Sequence, residues 1–243
     1  MYLCIDIGNT RTKASVFGAD GVILHSTLIT EHSVEELNEL IKSYHVAHVI
    51  TSATGKKEWN NSSLNVPGVN IELSHTTPLP IRIIYSTPET LGRDRIAAAC
   101  GAHFLFTEKN LLIVDAGTCI TMDILLKNGT YLGGNIAPGV SMRLRAMHDY
   151  TAKLPLVEKA WPSLPFGDST VNALQNGACL GAVMEINGIL HQAKNAFGAV
   201  FIVITGGDAP FLVEKLESEI FVEPELVVKG LFKILSFNVQ NDY

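Results

Sequence analysis

Two stretches of this chain repeat one chemical pattern. Tyr2-Leu3-Cys4-Ile5-Asp6-Ile7 is an apolar run with an aspartate near its end, and Gly8-Asn9-Thr10 follows it. Leu111-Leu112-Ile113-Val114-Asp115 closes the same way and runs into Ala116-Gly117-Thr118. Glycine in a tight strand-to-strand turn lets backbone N–H groups approach an anion unobstructed. A neighbouring threonine adds a hydroxyl donor. The aspartate would repel such an anion, so its useful partner is a metal ion that bridges phosphate oxygens. One Asp-x-Gly-x-Thr turn is usually a plain hairpin connection. Two at matching places in a repeated pattern point to a polyphosphate, with Lys13 available as a point charge. The chemistry alone does not say which aspartate would hold which cation.

Two further clusters could do chemistry. Gly92-Arg93-Asp94-Arg95 places a carboxylate between two guanidinium groups at the head of an apolar stretch. That suits a proton acceptor beside cationic hydrogen-bond donors, although most charged clusters of this kind are simply solvated. Thr205-Gly206-Gly207-Asp208 follows a third apolar run and fits the far end of a nucleotide, or an ordinary strand-to-helix turn. Neither G-x-x-x-x-G-K-[ST] nor G-x-G-x-x-G after a strand is present.

The elements that must position these residues also repeat. After the first aspartate, Lys13–Phe17 and Val22–Leu24 read as strands about an Asp20-Gly21 hairpin turn. A helix follows, capped by Ser33 with Glu36 three residues on, its buried face marked by Leu37, Leu40 and Ile41. The run from Val46 to Thr51 is the next strand, and a helix is expected from about Glu89 to Phe106. From Asn110 the order begins again, with strands at 111–115, 120–126 and 131–136 about an Asn128-Gly129 turn. A helix then spans about Ser169 to Phe197, and Val200–Thr205 is a strand. Residues 54–88, with Pro67, Pro78 and Pro80, read as loops around short elements. The repeat implies two similar α/β halves facing each other across a cleft, 1–109 and 110–243, a period far longer than a solenoid's.

Composition excludes several classes. A 47% hydrophobic share and only 17% charge support a filled core rather than disorder. A net charge of −6 disfavours a nucleic-acid partner, which needs a basic face. No run reaches the roughly 18 apolar residues of a membrane span. Asp6 also interrupts the first apolar run before a signal sequence could form, so the cytoplasm is the expected location. Cys4, Cys100, Cys119 and Cys179 are scattered without C-x-x-C and read as reduced packing residues. The eight histidines show no zinc-binding spacing.

These motifs resemble the acetate and sugar kinase superfamily, whose duplicated core of ribonuclease H-like halves is shared with actin. Within it the chain looks like a type III pantothenate kinase. Asp6-Ile7-Gly8-Asn9-Thr10 resembles that family's opening D-x-G-N-T motif, and Gly92-Arg93-Asp94-Arg95 its G-x-D-R motif. Asp115-Ala116-Gly117-Thr118 fits its second phosphate motif, and Gly133-Gly134-Asn135-Ile136-Ala137-Pro138-Gly139 its G-G-x-I-x-P-G segment. Four motifs in register cover nearly the whole chain. Arg93 fills a position that the family leaves open.

The resemblance implies phosphorylation of pantothenate by ATP, the first step of coenzyme A synthesis, in a homodimer that uses Mg²⁺ and a monovalent cation, potassium or ammonium. It implies ATP contacts from Asp6, Ile7, Gly8, Asn9, Thr10, Arg11, Thr12, Lys13 and Thr118. Asp94 is then the expected base, and Arg95 the partner of pantothenate's carboxylate. Gly92, Arg93, Tyr85 and Thr170 complete the expected substrate contacts. Asp6 is the expected Mg²⁺ partner, directly or through water, and Asp115 the monovalent-cation ligand. Gly177 and Gly181 lie four apart beside Ala178 and Ala182, so close helix packing is expected there, within a subunit or across the dimer. The rivals are a kinase of the same fold with another small acceptor, and a non-catalytic nucleotide-binding module. A pure binding module has no need of Asp94.

Overall fold

The structure is a computed structural model that describes residues 1–8, 12–29, 33–54 and 60–241. The chain forms two compact units. The first comprises Met1–Glu108, Lys127–Leu132 and Glu225–Tyr243, and the second Lys109–Leu126 and Gly133–Pro224.

In the first unit the strands are β1 (Tyr2–Ile7), β2 (Thr12–Phe17), β3 (Ile23–Ile29), β4 (His48–Ala53) and β5 (Asn70–Glu72). They form one sheet in the order β3-β2-β1-β4-β5, with β2 antiparallel and β4 parallel to the central β1. Alternation along β1 splits its side chains between the two faces. Leu3, Ile5 and Ile7 join Leu37 and Ile41 of helix α1 (Val34–Ser43) in one apolar cluster. Ser33 caps that helix as expected, its hydroxyl accepting the Glu36 N–H at 3.2 Å. The opposite face is covered by α7 (Leu226–Gln240), whose Phe232 stacks on Phe17 at 4.8 Å and meets Tyr2 edge-on at 5.4 Å.

Helix α7 in turn packs on α2 (Arg93–Leu105), a segment rich in alanine. The two backbones touch. A β-carbon on Gly230 would fall 1.7 Å from the Ala97 carbonyl oxygen, and one on Gly101 2.4 Å from that of Leu226. Helix α2 begins later than the sequence pattern suggests, because Pro88–Thr90 forms a separate 3-10 turn and Gly92 stands at the cap.

The second unit repeats the topology. Strands β7 (Asn110–Ala116), β8 (Cys119–Leu125), β9 (Thr130–Pro138), β10 (Val200–Thr205) and β11 (Ile220–Val222) lie in the order β11-β10-β7-β8-β9. Here β8 is antiparallel and β10 parallel to the central β7, as β2 and β4 are to β1. The first residues of β9 count with the first unit, where Thr130 and Tyr131 pair with β6 (Arg82–Ile83). One face of the second sheet is packed by α3 (Val140–Asp149), α4 (Thr170–Gln175), α5 (Gly181–Phe197) and α6 (Ala209–Leu212) around Leu112, Val114, Ile202 and Ile204. A π-helical turn, Asn176–Leu180, joins α4 to α5 where one continuous helix was expected.

All four cysteines are free; three are buried and Cys119 is half-buried. Burial pushes the Cys4, Cys100 and Cys179 thiols up. Among the described residues no helix is long and apolar enough to cross a membrane.

Candidate active site

In the first unit, Asp6 stands half-buried near the end of the central strand. Its register partners are Lys13 on the antiparallel side and Ser52 on the parallel side. Directly opposed residues share a sheet face, so all three belong to the face under α7. The Lys13 ammonium is 2.5 Å from the Glu225 carboxylate, immediately before α7. The sequence offered Lys13 as a lone point charge; the fold gives it a carboxylate partner. Ser52 is fully buried, and its hydroxyl has no hydrogen-bond partner among the described residues. Ile7 and Thr12 are buried and paired with each other, and the Ile7 carbonyl accepts the Thr54 N–H at 3.0 Å. Gly8 is half-buried. Asn9, Thr10 and Arg11 lie outside the described residues.

Asp115 occupies the equivalent place in the second unit, half-buried near the end of β7. Its register partners are Thr121 on the antiparallel side and Thr205 on the parallel side. The antiparallel register partners of the two aspartates thus differ in charge, Lys13 beside Asp6 and Thr121 beside Asp115. Thr118 is exposed in the turn between β7 and β8, and its carbonyl accepts the Gly139 N–H at 3.1 Å. A β-carbon on Gly139 would lie 2.3 Å from the Gly117 carbonyl oxygen. This close approach explains why the glycine-rich segment must end in glycine where it meets the turn. On the other side, the Asp208 N–H donates to the Ala116 carbonyl at 2.8 Å, and Asp208 pairs with Lys159. Gly206 thus lies against the end of β7, beside the Asp115 carboxylate.

The third cluster is the head of α2. With Gly92 at the cap, Asp94 sits in the first turn, where the helix dipole favours a carboxylate. Its Oδ1 accepts the Arg95 N–H at 2.9 Å. A β-carbon on Gly92 would stand 2.5 Å from that same oxygen, so the glycine leaves the carboxylate room to fold back. Arg95 is only 5% exposed, with its guanidinium carbon 5.8 Å from the centre of the Tyr85 ring. Tyr85 is half-buried and lies 6.4 Å, centre to centre, from Tyr131. Arg93 turns to the backbone instead, donating to the carbonyls of Leu73 at 3.2 Å and Leu91 at 2.6 Å. The solvated-cluster reading fails for Arg95, which is buried, and for Arg93, which is tied to main chain.

The fold thus gathers Asp94, Arg95 and Tyr85 at one helix end, and Asp6 with Lys13 on one sheet face. Thr170 is exposed at the first position of α4, behind the Ser169 cap, on an element separate from those bearing Asp115 and Thr118. Ser52 and Glu225 were not legible as site residues. Ser52 lies in an ordinary apolar strand, and Glu225 joins Lys13 from across the chain with no local signal.

The donors at the first turn can be weighed against Mg²⁺. Among the described residues no three His, Cys, Asp or Glu side chains cluster as a cage. A single carboxylate such as Asp6 suits Mg²⁺, which keeps waters and phosphate oxygens as its other ligands. At Asp115 the Gly206 backbone stands close against the carboxylate, where an added β-carbon would fall 2.5 Å from Oδ1.

Comparison with known proteins shows the family and the fold. The family model described as type III pantothenate kinase matches residues 2–192. The type III pantothenate kinase of Flavobacterium johnsoniae is 34% identical over 244 residues, covering 100% of both chains. A Campylobacter jejuni structure described as a Baf family transcriptional activator superposes with a TM-score of 0.64 at 22% identity, over 98% of this chain and 99% of that one. A glucokinase from an Antarctic psychrotroph gives 0.50 at 14% identity, over 96% and 98%. Both likenesses concern the fold, which is the duplicated actin-like one. The chain belongs to the type III pantothenate kinase family.

Proposed function

We propose that this chain transfers the γ-phosphoryl group of ATP to the primary hydroxyl of pantothenate, yielding 4′-phosphopantothenate and ADP at the entry to coenzyme A synthesis. The observation that carries the reading is the head of α2, with Asp94 held by the Arg95 N–H and the Arg95 guanidinium buried against Tyr85. A carboxylate fixed this way is oriented before substrate arrives, which is what phosphoryl transfer needs from a protein. The Asp94 carboxylate accepts the hydroxyl proton as the new O–P bond forms and the bond to ADP breaks. Arg95 grips pantothenate's carboxylate, and a buried guanidinium is worth more in that role than a solvated one. Tyr85 and Thr170 are further substrate contacts. Gly92 shapes the helix cap, and Arg93 holds the segment through its carbonyl partners.

The first turn, Asp6 to Lys13, serves the phosphates, and Thr118 is an ATP contact in the second. Mg²⁺, bound with the nucleotide, offsets phosphate charge, and Asp6 is its protein partner, directly or through water. Asp115 takes the monovalent cation, potassium or ammonium. The contrast between Lys13 and Thr121 supports this division, since Asp6 has a built-in ammonium as its register partner and Asp115 has a neutral hydroxyl. The division of labour follows the two units, with Asp6 and Lys13 in the first and Asp115 and Thr118 in the second.

A cytoplasmic homodimer completes the reading. Gly177, Gly181 and Gly188 have nothing within 4 Å of an added β-carbon, and Met184 on the same stripe is 63% exposed. Ala178 and Ala182 are buried beside them, so the glycines are not needed for packing inside the unit.

A coupled ADP-release assay with ATP and Mg²⁺ tests the function, comparing pantothenate with acetate, glycerol and common sugars, with and without potassium. Turnover confined to pantothenate and raised by potassium is expected. Turnover with another acceptor discards the substrate assignment, and ATP binding without turnover moves the weight to a binding module.

A further inference from the structure

Lys13 meets the first turn with its charge already engaged. Its ammonium lies 2.5 Å from Glu225, and the two side chains are 29% and 28% exposed. A pair at that depth is neither sealed in the core nor fully hydrated, so a more highly charged anion can replace one partner. The Glu225 backbone cannot follow Lys13 away. Its carbonyl accepts the Lys229 N–H at 2.9 Å, and the helix it precedes is locked against α2 through Gly230. Asp6 is the register partner of Lys13, so Lys13 shares a sheet face with one carboxylate and is paired with another. A polyphosphate entering beside Asp6 meets a protein anion that no step of the transfer requires.

We propose that Glu225 is a positioning residue that competes with phosphate for the Lys13 ammonium, balancing the first turn when it is empty and reclaiming Lys13 as ADP leaves. The proposal rests on the reading that this turn holds the phosphates of ATP. Lys13 is then exchanged between a fixed carboxylate and a transient phosphate, which weakens binding of both nucleotides and favours release of the product.

The test is calorimetric binding of ATP and of ADP, each with Mg²⁺, to the full chain and to Glu225→Gln and Glu225→Asp. Glu225→Gln should bind both nucleotides tighter by about twofold to fivefold, the scale of a partly screened ion pair. Its affinity should also fall more steeply with added salt, because one more positive charge acts on the phosphates. Glu225→Asp keeps the charge and should stay near the parent. In a Lys13→Met background the gain from Glu225→Gln should shrink, since the competition acts through Lys13. A purely structural role predicts the opposite sign, because a loosened turn binds more weakly. Unchanged or weaker binding by Glu225→Gln, or a gain undiminished without Lys13, overturns the competition and leaves the ATP reading intact. A parent chain that binds neither nucleotide overturns both.

Discussion

Gly206 lies so close to Asp115 that a β-carbon on it would stand 2.5 Å from the carboxylate Oδ1 and 2.4 Å from the Ala116 carbonyl oxygen. Its φ of +92° is one that side chains rarely adopt. Gly206→Ala therefore has to move the end of β7 or twist the turn, at a cost of at least about 1 kcal/mol. With Asp115 displaced, the ratio of rates with and without potassium should fall towards one. A folded variant whose potassium response is unchanged would remove Asp115 as the cation ligand.

Asp94→Asn keeps an oxygen able to accept the Arg95 N–H, so the helix cap survives while the proton acceptor is lost. Turnover should fall by about 10²- to 10⁴-fold, the usual worth of a positioned base. Thermal unfolding should stay near that of the parent. Near-normal turnover would sink the assignment of Asp94.

Gly230→Ala places a methyl group 1.7 Å from the Ala97 carbonyl oxygen, where no side chain can move aside because the obstacle is backbone. The helices must part, and overpacking of this kind costs about 1–3 kcal/mol or more. The urea midpoint should drop accordingly. Gly207→Ala is the control, since its added methyl meets nothing within 4 Å.

His48 gives the first unit a pH dependence of known sign. Its Nδ1 accepts the Val69 N–H at 3.1 Å, and its ring stacks on Tyr2 at 5.2 Å. Burial, and then the positive charge of the amino terminus, hold its pKa below the ordinary 6.5. The unfolded chain thus takes up the proton first as pH falls. Stability is present above pH 6.5 and is lost on acidification through the depressed folded value. Urea midpoints between neutral pH and pH 5 should show this loss, and His48→Gln should flatten it.

The sequence carries its information unevenly. The strands that carry Asp6 and Asp115 near their ends were legible because a short apolar run, an acid and a glycine leave few alternatives, and α1 was legible from the cap at Ser33 and Glu36 with the apolar spacing of Leu37, Leu40 and Ile41. The edges were less so. The strand expected at Val22–Leu24 runs from Ile23 to Ile29 with alternate residues exposed, among them Leu24 and Leu28. The strand expected from Val46 begins at His48, because His45 turns the chain at a φ of 50°. The π turn at Asn176–Leu180 has no periodic signature, since five residues are too few to shift a helical pattern. Ser52 and Glu225 acquire meaning only from what the sheet and the last helix bring beside them.

The contact of Gly230 with Ala97 has a consequence for motion. Helix α2 carries Asp94 in its first turn and helix α7 begins beside Glu225, and the two touch backbone to backbone at Ala97 and Gly230. Sliding one along the other would drive side chains into main-chain atoms, so shear between them is blocked. Any rearrangement of this unit carries both helices as one rigid lever, and Asp94 and the partner of Lys13 swing with it.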